Sequence, residues 1–188
     1  MVARVRWARR FGAGSTGVVA GACFIALFLA GAPAEASMPT AAEKLVERWN
    51  EIGRKLIAIA EDLPEDKYAY KPHPDARSFV DQLLHAAGAM ASFNDLVEGR
   101  PERYPCDPTG NELRTRAEVV ALVRREVSAG AALLGAAGER GSSPAARAVG
   151  GAARLDDLAN KTIEHSGEHY GQLVVYYRIN GMVPPESR

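Results

Sequence analysis

Apolar residues recur every three or four positions in four separate stretches of this chain, and no stretch of useful length alternates apolar with polar. A period near 3.6 lines one face of an α-helix, whereas a half-buried strand needs a period of two. The pattern therefore restricts the chain to helices packed on helices. The first stretch opens at Thr40-Ala41-Ala42-Glu43. This string fits a capping box, in which hydroxyl and carboxylate satisfy the free backbone donors of the first turn. Leu45, Trp49, Ile52, Leu56, Ile59 and Leu63 follow, and Pro64 ends the run. The second begins near Ser78, with Asp81 three places on, carries Leu84, Ala87, Met90, Ala91 and Val97, and stops at Gly99 and Pro101. The third starts with a further capping box, Thr115-Arg116-Ala117-Glu118, and continues through Val119, Val123, Val127, Ala131 and Leu134 to Gly138. The fourth covers about Leu155 to Asn180; Gly181 suits the left-handed position past a helix end, and Pro184-Pro185 cannot prolong one.

Four helices of roughly 20 to 25 residues, each about 30–37 Å long at 1.5 Å per residue, predict an all-α fold, a four-helix bundle. Its connections, "LPEDKYAYKPHPDAR", "GRPERYPCDPTGNELR" and "GERGSSPAARAVGGAAR", exceed the usual 2–8 residues of such bundles. Either they hold short turns of their own or they gather over one end and wall a pocket. The third, rich in Gly, Ala and Ser, is expected to be the most mobile.

The bundle is preceded by a segment of another kind. "MVARVRWARR" has four arginines and no acid, "GVVAGACFIALFLAGA" is an apolar run of 16 residues, and Ala34-Glu35-Ala36 supplies small residues before Ser37. Together they predict a cleavable secretory signal over residues 1–36 and an exported, periplasmic or secreted domain over 37–188. The run is short for a transmembrane anchor, which usually needs about 20 apolar residues; membrane association would come only through an uncleaved signal. Arg9-Arg10 followed by Phe11 matches a twin-arginine signal poorly, and Cys23 lies inside the apolar run rather than after it, against a lipoprotein. Removing Arg4, Arg6, Arg9, Arg10 and Glu35 from 23 basic and 23 acidic residues leaves 19 and 22, a net charge of −3. With no basic patch and no aromatic–basic interleaving, nucleic-acid binding is disfavoured. Cys106 is then the only remaining cysteine, so no intrachain disulfide can form, and a lone thiol of this kind is more often inert than reactive.

The chemistry concentrates in histidine. His73 stands between two prolines in a loop and reads as a surface residue. His165 and His169 are four apart in the last helix and project from one face. Such pairs are commonly ordinary surface or core residues, but Leu158, Thr162, Leu173 and Tyr176 share this face, so it looks inward. Two inward imidazoles need partners, and a metal ion satisfies both at once. His85, midway along the second stretch, has Asp81, Gly88 and Ser92 on its side. Those small or polar neighbours build core poorly and leave room for an ion. Three histidine ligands match an open, catalytic type of site, with remaining positions for water or substrate.

At the level of whole strings the chain resembles the DinB-like superfamily of metal-dependent four-helix-bundle proteins. The resemblance rests on "IAEDLPEDKYAYKP", "SFVDQLLHAAGAM" and above all "HSGEHYGQLVVYYRINGMVPP". It implies a divalent metal held by one histidine of the second helix and an H-x-x-x-H pair of the last, roles that fall on His85, His165 and His169. Some relatives are thiol-dependent transferases or isomerases that use a small thiol as a further ligand, and many have no known activity. Low-molecular-weight thiols are mainly cytosolic, so an exported chain fits that route poorly.

Three functions stand open at this point. The first is a metal-dependent hydrolase or transferase acting on a small-molecule substrate. Glu168 could then serve as general base, Asp81 could orient the His85 imidazole, and Gln172 could hold a metal-bound water or simply bridge helices. The second is a non-catalytic bundle that binds a metal or small ligand. The third is a structural bundle, with a homodimer open. Zinc and nickel suit imidazole best, and iron is allowed. Tyr170, Tyr176 and Tyr177 read as packing residues with tethered hydroxyls. Gly167, costing roughly 1 kcal/mol relative to Ala in a helix interior, suggests close approach of another helix.

Overall fold

A computed structural model describes residues 38–104, 113, 115–139, 147–148, 151–152 and 154–188. The expected signal over 1–36, Cys23, Cys106 and most of the third connection lie outside the described residues. Met38–Arg188 forms one compact unit. Among the described residues it contains four α-helices: α1 (Ala41–Asp62), α2 (Phe79–Glu98), α3 (Arg116–Glu139) and α4 (Leu155–Ile179). None is long and apolar enough to cross a membrane.

The local signals place the helix starts. Thr40 Oγ1 accepts the Glu43 amide at 3.2 Å while Glu43 Oε2 accepts the Thr40 amide at 2.7 Å, closing the first capping box. Thr115 and Glu118 close the second in the same way. Ser78 caps α2, its hydroxyl accepting the Asp81 amide and donating to Asp81 Oδ2 at 2.5 Å. Gly181 follows α4 at φ 69°, the left-handed region glycine favours. Between α3 and α4 lies a feature the sequence did not announce, an antiparallel pair of two-residue strands, β1 (Arg147–Ala148) and β2 (Gly151–Ala152), with Arg147 opposite Ala152. Two residues are too few to leave a period-two pattern.

Around the bundle, α1 packs against α3 and α4, and so does α2, which leaves α1 and α2 facing each other across the core. Pairings along the helices fix their directions. Trp49 meets Val127 and Glu61 meets Arg124, so α1 and α3 run antiparallel. Arg48 meets Asn160 and Ile59 meets Tyr177, so α1 and α4 run parallel. Gln82 meets Gln172 and His85 meets His165, so α2 opposes α4. The order is therefore up, down, down, up, and α2 and α3 are parallel neighbours.

This topology explains the long connections. Segment 63–78 crosses the bundle diagonal and holds a 3-10 turn at Glu65–Lys67. Because α2 and α3 run parallel, the end of α2 and the start of α3 lie at opposite ends of the bundle. The described residues just after α2 lie against α2 and α3: Glu102 accepts from Ser92, Arg103 pairs with Asp95, and Arg125 donates to the Tyr104 hydroxyl.

The core is continuous, with Trp49, Leu56, Ile59, Phe79, Leu83, Met90, Leu122, Leu173 and Tyr177 all shut off from solvent. Two buried tyrosines also serve α1. Tyr68 donates to the carbonyl of Ala60 and Tyr177 to that of Ile59, taking up acceptors near a helix end that has no basic side chain.

Between α1 and α3 the indole of Trp49 donates to the Val127 carbonyl at 2.9 Å and lies on the backbone of Gly130. A β-carbon at Gly130 would sit 2.9 Å from Trp49 Nε1 and closer still to its ring carbons. Gly130→Ala gains about 1 kcal/mol of helix propensity. It also forces an overpacked, fully buried ring to move, at a cost of about 1–3 kcal/mol. Net destabilisation is expected in a thermal melt; a raised melting temperature would show that the indole yields freely.

Candidate metal centre

The antiparallel contact of α2 with α4 decides the histidine geometry. His85 projects from the middle of α2 toward the face of α4 that carries His165 and His169. The ring centroids lie 5.1 Å apart for His85 and His165, 4.5 Å for His85 and His169, and 4.3 Å for His165 and His169. The interplanar angles are 62°, 86° and 82°, so the rings meet edge to face around one point rather than stacking. One nitrogen from each lies within 4.8 Å of the other two. A tetrahedral ion about 2.0–2.1 Å from three nitrogens would hold them about 3.4 Å apart, a span that small rotations of the rings can close. His169 is buried, while His85 and His165 are half-buried, so the cluster opens to solvent on one side.

Burial and crowding also set the protonation state. His169 is pushed down to about 4 from the ordinary 6.5, first by burial and then by the neighbouring imidazoles of His165 and His85. His165 is lowered by burial and by His85, with Glu168 pulling the other way. Neutral imidazoles at neutral pH are the form that binds metals.

A stability consequence follows in the metal-free protein. Unfolded, His169 protonates near 6.5; folded, it resists protonation until about 4. The unfolded chain thus binds more protons between these limits, and stability rises with pH across them. The contribution is fully present above about 6.5 and is lost as the pH falls toward 4. The melting temperature should therefore drop through that window more steeply for the native chain than for His169→Gln. Parallel slopes for the two would refute the assignment.

The remaining candidates are placed as follows. Glu168 is exposed on the flank of the cluster, between the two histidines of α4 in sequence. Asp81 is half-buried one turn ahead of His85, and its carboxylate receives the Ser78 hydroxyl. Gln172 has the bridging role: its Oε1 accepts from Gln82 Nε2, tying α4 to α2. His73 is an exposed loop residue with Nδ1 accepting the Asp75 amide at 3.2 Å. Tyr176 and Tyr177 are buried, with hydroxyls donated to the carbonyls of Arg77 and Ile59. Among the described residues, the expected helix contact at Gly167 is absent. An added β-carbon there meets nothing within 4 Å, because a residue two places from each histidine points to the opposite side of the helix.

One residue at the centre was missed from sequence. Gln82, 2% exposed, reaches the Nδ1 of His169 from α2. Its signal was faint: a glutamine three places before His85 in an apolar run.

Set against known protein families, residues 33–173 match the model described as the DinB superfamily, three quarters of the chain. No curated protein matches it.

Proposed function

The chain belongs to the DinB superfamily, and from that membership and the three converging imidazoles we propose that it binds one divalent metal ion and works as a metal-dependent enzyme, a hydrolase or a transferase. The observation that carries the reading is the meeting of His85, from one helix, with His165 and His169 from another. Nothing in core packing requires three imidazoles edge to face, and polar rings brought into a partly dry site need polar partners. Zinc or nickel suits such a donor set best, with iron also allowed.

When bound, a divalent ion supplies Lewis-acid polarisation of an oxygen or sulfur ligand. The chain's own residues prepare for this in four ways. Imidazole ligates in its neutral form, so these three ligands would not neutralise the ion's charge. The half-exposed rings of His85 and His165 leave one side of the cluster open to solvent, where a substrate can approach. Glu168, exposed on that flank and close enough to act on His165 electrostatically, is the candidate to accept a proton. Asp81 holds the first turn of α2 through Ser78 and so helps to fix the direction of His85.

The test is metal content. The domain Met38–Arg188, purified and exposed to zinc or nickel, should carry about one ion per chain by elemental mass spectrometry and release it to a chelator. A domain that emerges metal-free under every divalent ion tried would overturn the reading. An assay against ester, amide and thiol-transfer substrates, with and without the ion, separates an enzyme from a binding bundle.

A further inference from the structure

The amide of Gln82 meets two partners through one terminal atom, Nδ1 of His169 and Oε1 of Gln172, from a position almost closed to solvent. An amide oxygen and an amide nitrogen have the same shape, so hydrogen bonding decides which of them faces the ring. With nitrogen inward, Gln82 donates to Nδ1 and the ring proton sits on Nε2. His169 then turns a donor toward the cluster and cannot bind an ion through that nitrogen. With oxygen inward, the same two contacts become Nδ1–H donating to Gln82 Oε1 and Gln172 Nε2–H donating to the same oxygen. A carbonyl oxygen has two lone pairs and takes both, and Nε2 of His169 keeps its own lone pair free. No heavy atom moves between the two arrangements; only the amide identities and the nitrogen that carries the ring proton exchange.

We propose that Gln82 is the positioning residue of this centre: its amide oxygen, itself fixed by Gln172, holds the proton of His169 on Nδ1 and so presents Nε2 to the metal. This rests on the metal-binding reading above and goes further in naming the ligand nitrogen and the two glutamines that select it. Outer partners of this kind set the tautomer of ligating histidines and raise their basicity. Carboxylates and backbone carbonyls are the usual acceptors. Here the acceptor is neutral, which leaves the charge of the centre unaltered.

The experiment uses the full chain with 15N-labelled histidine. In the metal-free protein, two-dimensional 15N spectra should show His169 protonated on Nδ1, the less common tautomer of a free imidazole. Protonation on Nε2 instead would overturn the proposal. Zinc titration of Gln82→Leu, which removes the acceptor at similar volume, should show affinity about 10- to 100-fold weaker than native. Gln82→Glu, which can accept but not donate, should bind zinc at least as well as native. Native-like zinc binding by the Leu variant, or equal loss in the Glu variant, would each overturn it. The Glu variant also guards against a Leu variant that merely fails to fold. Absence of zinc binding by the native chain beside a clear Nδ1–H signal refutes the metal reading while supporting the tautomer lock, so the two failures are distinguishable.

Discussion

His85→Ala should strip the domain of its metal even though His165 and His169 remain on the other helix. Two imidazoles at i and i+4 can still touch an ion, but they leave it half-coordinated at a site open to water. The expected weakening for zinc exceeds about 100-fold, the upper end of what losing an outer-shell partner costs. His165→Ala and His169→Ala should do the same. A thermal measurement reports the same loss independently. A ligand that binds only the folded state at 100 times its dissociation constant adds about 2.7 kcal/mol. For a chain of this size that is a rise of about 5–11 °C. Zinc should raise the melting temperature of the native domain by this order and leave that of each alanine variant where it stands. A variant that keeps native loading shows that its histidine lies outside the coordination sphere.

Arg103→Met should cost about 3 kcal/mol of stability, with no histidine involved. Arg103 stands just past the end of α2. Its amide donates to Asp95 Oδ2 at 2.9 Å, its Nε to Asp95 Oδ1 at 2.6 Å and its Nη2 to Glu126 Oε2 at 3.1 Å. Asp95 and Glu126 are 1% and 0% exposed, so these carboxylates have given up their water. Burial alone pushes the Asp95 carboxyl up; the hydrogen bonds and charge of Arg103, with Arg100 behind them, override this and hold it below the ordinary carboxylate value. Asn94 Nδ2 donates to Glu126 Oε2 at 3.0 Å and completes the cluster.

Removing one member of a buried ion cluster costs about 3–5 kcal/mol because an uncompensated charge is left behind. The low end applies here, since Arg100 still reaches Asp95 and Arg125 still reaches Glu126. The melting temperature should fall by about 6–12 °C. The pH dependence identifies the cause. A carboxyl whose folded pKa is depressed contributes stability above its unfolded value of 3.8 and loses it as the pH falls further. The gap between native and variant should thus be full above about pH 4 and narrow below it. A deficit under about 0.5 kcal/mol, the scale of an exposed ion pair, would show that the cluster adds little.

The helices were legible because their signals are local. A capping box closes within four residues, an apolar stripe repeats within one helix, and a glycine at positive φ needs only its own backbone. The shared face of His165 and His169 belongs to the same class. His85 was legible as a candidate through its small and polar neighbours Asp81, Gly88 and Ser92, yet its meeting with the other two needed α2 beside α4. Gly167 misled, since a glycine in a helix reports open space and close packing with the same letter.

The sequence by itself determined four helices, their caps and a pair of imidazoles on one face, since each follows from spacing along a single stretch of chain. Only the tertiary structure decided the rest. It put α1 and α2 across the diagonal, set α3 parallel to α2, and brought Gln82 onto Nδ1 of His169. These contacts join residues tens of positions apart, as Trp49 with Gly130 or Asn94 with Glu126. Which distant pairs meet is fixed by how all four apolar faces and the buried charges are satisfied together, a condition no single segment encodes.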